Sequence, residues 1–167
     1  MIIPLSVDII NSKAPYEVSR GETVFSYCFT TDYNVDYSID FIEDDLISSN
    51  ESYQLIIANL NNKKSPKDNK IKDTLLAIVE EFFNKNRSTL LYICETGDNK
   101  QSMRSRLFEY WFSSYSHKAI YTMLSSSIVD EEGVINYATL IIRNDNPKLV
   151  QVITEFSESV SLLSQKP

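Results

Sequence analysis

Apolar and polar positions alternate between residues 35 and 41. Val35, Tyr37, Ile39 and Phe41 are separated by Asp36, Ser38 and Asp40. A period of two turns one face to a core and one to water, so SYCFTT and VDYSIDFI are expected as an antiparallel hairpin around Asp32-Tyr33-Asn34. After an acidic, Ser/Asn-rich loop (43–52), YQLIIAN (53–59) reads as a third strand. The period then lengthens. Ile71, Leu75, Ile78, Val79 and Phe82 recur at three- and four-residue spacing, which predicts a helix from about Asp68 to about Asn86. An unbroken apolar run (90–94) predicts a central strand buried on both faces.

Asp98 or Asn99 then caps a second helix, whose core face is read as Met103, Leu107, Tyr110 and Trp111, flanked by Phe108 and Tyr115. Strands over 119–124 and 134–143 are joined by an acidic turn holding Gly133. Asn146-Pro147 opens a last helix with the stripe Leu149, Ile153, Phe156, Val160 and Leu163. Residues 2–10 read as either a strand or an extended arm, and 1–23 stay unassigned. The order is β-β-β-α-β-α-β-β-α. Helices on a mixed, largely antiparallel sheet make an α+β fold, expected as a single domain over 1–167.

The totals exclude more than they select. A net charge of −7 over 167 residues disfavours a nucleic-acid backbone as partner. The loop KKSPKDNKIK holds five lysines, but Asp68 dilutes it. Three isolated glycines, Gly21, Gly97 and Gly133, cannot build a P-loop or a dinucleotide fingerprint, which need clustered glycines for close approach of phosphate. One histidine, His117, excludes multi-histidine metal sites. Cys28 and Cys94 lack CxxC spacing and are expected as free thiols within strands. MIIPLSVDII has no basic leader and is broken by Pro4 and Asp8, and no run reaches the roughly 18 apolar residues of a membrane span. The expectation is a cytoplasmic protein with no cofactor and no metal.

Two cations stand out on helical wheels drawn at ~100° per residue. Arg104 falls among Met103, Phe108 and Trp111, and Lys72 falls between Val79 and Phe83. Each sits in the first turns of a helix that follows a strand. If those strands are parallel neighbours, both helix starts share one crevice, and their amides favour an anion. The candidate anion-binding residues are Lys72, Gly97, Asp98, Gln101 and Arg104. The structural alternative is an ion pair of Arg104 with Asp98, Glu95 or Asp73. The aromatic helix also carries more apolar width than one core face uses, so Phe108, Phe112 and Tyr115 are candidate interface residues. Glu80-Glu81 and Glu43-Asp44-Asp45 read as solvated faces. No catalytic residue is assigned.

Several segments carry a resemblance. YCFTTDYNVDYSIDF, IKDTLLAIVEEFF, LLYICETGDNKQSMRSRLFEYWF and YATLIIRNDNP are similar to a family of small bacterial proteins of unknown function. The resemblance implies a bacterial, cytosolic origin and no activity. The element order also resembles the acetyl-CoA-dependent N-acetyltransferase superfamily. There a glycine-containing loop opens the helix after the third of these strands and binds pyrophosphate. Lys67-Asp68-Asn69-Lys70-Ile71-Lys72 stands in that place, with Lys70 and Lys72 where the glycines would be. The leading functional expectation is a non-enzymatic binding or regulatory domain with a protein partner or a second copy of itself. The alternative is a transferase-like domain that binds a small anion, coenzyme A or a nucleotide.

Overall fold

A computed structural model describes residues 2–94, 101–129 and 132–165, with the side chains of 94, 101–104, 128 and 163–165 left aside. The elements run α1 (Val7–Asn11), β1 (Ser19–Arg20), β2 (Ser26–Thr30), β3 (Asp36–Asp44), β4 (Ser52–Asn59), α2 (Asn69–Lys85), β5 (Thr89–Cys94), α3 (Gln101–Ser113), β6 (Tyr121–Val129), β7 (Ile135–Arg143) and α4 (Leu149–Gln165). The strands form one seven-stranded sheet in the order β1-β2-β3-β4-β5-β7-β6. Pairing is antiparallel for β1–β2, β2–β3, β5–β7 and β6–β7 and parallel for β4–β5. The fold is α+β with a mixed, mostly antiparallel sheet.

The chain divides into two compact units, 1–42 with 55–87 and 43–54 with 88–167. In the first, the expected hairpin forms in the register Thr30↔Asp36 to Ser26↔Asp40. Its alternation is the buried pattern: Val35, Ile39 and Phe41 are enclosed. Helix α2 buries the stripe read from its sequence, including Leu75, Ile78, Val79 and Phe82. Phe82 stacks on Phe41 with ring centres 4.8 Å apart. Residues 2–6 form the arm and 7–11 a short helix, so the N-terminal segment is no strand. Polar clasps hold it. Asn86 Oδ1 accepts from the Ile3 amide at 2.7 Å, and buried Glu81 accepts from the Ser6 amide at 2.7 Å. The Tyr27 hydroxyl accepts from the Leu5 amide at 2.8 Å.

In the second unit, Ile47, Leu91, Ala138, Leu140, Ile142, Val152, Phe156 and Val160 form one core beneath α4. Opposite it, α3 lays Phe108 over Tyr92 at 4.3 Å and Phe112 edge-on to Tyr121 at 5.5 Å. This corrects the expected face of α3. Leu107 is 45% exposed and Tyr110 68%, while Ser105, Phe108 and Phe112 are buried. The helix is turned because Phe108 and Phe112, a helical turn apart, find aromatic partners on the sheet. Strand β6 is also longer than its apolar pattern suggests, continuing through Ser125-Ser126-Ser127 to Val129 by pairing with β7 along its whole length.

Candidate functional site

The strands before α2 and α3, β4 and β5, are parallel neighbours, and the expected anion-site residues are divided between the two units. Lys72 lies in the first unit, with its side chain 24% exposed and Nζ 3.9 Å from Asp73 Oδ1. Gln101 and Arg104 lie at the start of α3 in the second unit, and their side chains are outside the described residues, as are Gly97 and Asp98 entirely. The start of α2 already carries a carboxylate. Asp68 caps it and accepts from the Lys70 amide at 2.9 Å. The Tyr16 hydroxyl donates to the other oxygen of Asp68 and accepts from the Asp32 amide at 3.2 Å. Lys70 Nζ in turn binds Asp32 at 2.8 Å. The first-turn amide and the nearest ammonium therefore both have internal carboxylates.

The interface candidates of α3 divide as well. Phe108 is 4% and Phe112 2% exposed, so both serve the interior of the second unit. Tyr115 is half-buried between Phe112 and His117. Among the described residues of α3, the large apolar side chains exposed to water are Leu107 and Tyr110.

The clearest surface feature belongs to β6. The two ends of the sheet differ sharply. At one end β1 is two residues long and contains Arg20. At the other, β6 spans nine residues, YTMLSSSIV, with no charge and no proline. Short strands, prolines and charges are the usual protection of an edge against pairing with another chain. Strand β6 has none of them.

The hydrogen-bond phase of this edge can be read from its start. The Asn144 amide donates to the Ile120 carbonyl at 2.9 Å, just before the first register pair, Tyr121↔Arg143. Bonded pairs alternate along an antiparallel ladder. Even-numbered residues of β6 therefore bond β7, and Met123, Ser125 and Ser127 direct amide and carbonyl away from it. On the α4 face, Leu124 packs against the core. On the other face, Ser125 Oγ lies 3.0 Å from Thr139 Oγ1. A shallow polar depression of about 390 Å³ opens there, lined by Arg106, Glu109, Ser125, Ser127 and Tyr137 among others. The signal for this edge was present in the sequence as the absence of charge through 119–129, but serine-rich stretches score poorly as strands.

Among the described residues, no helix is long and apolar enough to cross a membrane. Residues 67–158, from the start of α2 into α4, match the model of a family of unknown function, DUF6169. No curated protein and no solved structure matches the chain.

Proposed function

We propose, for a chain that belongs to the DUF6169 family, a role as a protein-binding module that takes up its partner along the outer edge of β6. The observation that carries this reading is the contrast between the two ends of the sheet: a two-residue strand with an arginine against a nine-residue strand with no charge. A strand of this length offers main-chain donors and acceptors for affinity, and the alternate side chains beside them give specificity. The acidic balance of the chain, −7 overall, spares this strand entirely. Anion capture at the start of α2 is the poorer reading, because Asp68 already fills the first-turn amide and Asp32 holds Lys70.

The test combines light scattering after size exclusion with affinity capture, each on the wild type and on Ser127→Lys. A mass above the monomer, or a captured protein, is expected with the wild type and is lost with the variant. A strict monomer whose captures are the same with and without the substitution overturns the reading.

A further inference from the structure

We infer that the occupant of the β6 edge is a second copy of this chain, paired antiparallel with its own β6 about a two-fold axis through Ser125. The inference rests on the strand-addition reading and names its partner.

Three observations point to self-pairing. First, the phase fits. In an antiparallel pair centred on Ser125, Met123 of one copy meets Ser127 of the other, and Ser125 meets Ser125. All three are the residues whose amides and carbonyls point away from β7, so each meeting is a hydrogen-bonded pair exchanging two bonds. A register shifted by one residue would set an outward residue against an inward one and lose them.

Second, the charges fit. Two copies of a chain with net charge −7 repel, and a neutral contact strand removes that repulsion where they meet.

Third, the side chains fit. In the centre of the strand the groups meeting across the axis are serine hydroxyls and the slim Met123, with no ring or β-branched group to crowd the two-fold. The result continues the sheet from one copy into the next through β7-β6-β6-β7, and it is closed, because the same edge is used by both partners.

The experiment is light scattering across a concentration series, with Ser125→Lys, Ser125→Cys and Met123→Cys beside the wild type. The wild type should run as a dimer that dissociates on dilution. Ser125→Lys sets two ammonium groups directly opposite and should give the monomer mass with an unchanged circular dichroism spectrum. Under mild oxidation Ser125→Cys should form a covalent dimer, since bonded antiparallel pairs stand about 5.5 Å apart at Cα, within disulfide reach. Met123→Cys should not, because its two copies lie roughly 14 Å apart in this register. These cysteine variants decide the matter even if Ser125→Lys fails to fold. A wild-type monomer that still captures a protein lost with Ser127→Lys overturns self-pairing and leaves the strand-addition reading standing. A dimer that survives Ser125→Lys, or crosslinks equally through residue 123, overturns the self-pairing register. A monomer with no edge-dependent capture overturns both.

Discussion

The carboxylate of Glu155 is filled by Ser48 and its neighbour, 107 residues away in the chain. Oε2 accepts from the Ser48 amide and hydroxyl, both at 2.7 Å, and Oε1 from the Ser49 amide at 2.9 Å and hydroxyl at 2.7 Å. The pair ties the segment before β4 to α4 inside the second unit. Partial burial would raise the pKa of Glu155. The four donors outweigh it and bring the group down to about 2.

Removing that carboxylate should therefore destabilise the second unit in a pH-dependent way. Glu155→Ala is expected to cost about 1–2 kcal/mol at neutral pH, the range for hydrogen bonds to a charged group discounted for solvent access. The folded pKa lies below the unfolded one, so the contribution is complete above about pH 4.5 and drains away as pH falls through about 2. Urea melts of wild type and variant at pH 7, 4 and 2.5 measure it. A difference that stays constant down to pH 2.5 would contradict the assignment.

Tyr16 gives the opposite dependence in the first unit. Burial, and then its hydrogen bond to the Asp68 carboxylate, push the phenol up to about 12, against the Asp32 amide, which pulls it down. The native state keeps a proton that the unfolded chain releases near pH 10. Stability from Tyr16 is thus full below about pH 10 and falls as pH rises through about 12. Tyr16→Phe should cost about 1–2 kcal/mol at pH 8, since it leaves the cap of α2 and the Asp32 amide without the hydroxyl. The same variant should lose less stability than wild type between pH 10 and 12. Parallel urea melts at pH 8 and 11 compare the two slopes.

What the sequence disclosed follows from the range over which each signal acts. The β2–β3 hairpin and α2 are written in local periodicity, and Val35, Ile39, Phe41, Leu75, Ile78 and Phe82 are buried as their spacing demands. Helix α3 spreads Leu107, Phe108, Tyr110, Trp111 and Phe112 over more than half of its wheel, with Arg104 among them, so the wheel sets no single phase. The sheet chooses it, through Tyr92 and Tyr121, and turns Leu107 and Tyr110 outward. The arm at 2–6 takes its conformation from Asn86, Glu81 and Tyr27, all distant in the chain. Glu155 looks like any solvated helix residue until Ser48 and Ser49 arrive beside it. The β6 edge was the hardest to see, because Ser125, Ser126 and Ser127 are strand only by virtue of β7.

Two glycines separate crowding from backbone strain. A Cβ at Gly21 would stand 2.9 Å from Ser26 Cβ, and the Gly21 amide already donates to the Ser26 carbonyl at 2.8 Å. Gly21→Ala must push the β1–β2 junction apart and should cost about 1–3 kcal/mol. At Gly133 a Cβ would meet nothing within 4 Å, but φ is +81°. Gly133→Ala should cost only about 1 kcal/mol, the penalty for a side chain in left-handed backbone. Thermal melts should rank Gly21→Ala as the more damaging. The reverse order would mean that the turn between β6 and β7 is stiffer than the edge at β1.

Amide exchange along β6 tests the phase on which the proposed pairing depends. The bond from Asn144 to Ile120 assigns the amides of Thr122, Leu124 and Ser126 to β7 and those of Met123, Ser125 and Ser127 to the outside. In dilute solution, where single copies prevail, the first three should be protected and the second three should exchange near the rate of exposed amides. As concentration rises, the outer three should slow together, while the inner three and the short β1 edge change little. Glu155→Ala leaves both strands untouched and should preserve this alternation. The rates follow from the ladder geometry alone, so they separate two questions. Uniform protection at high dilution would place the outer amides in bonds within one chain and remove the open edge. Alternation without any concentration dependence would keep the edge and remove the second copy from it.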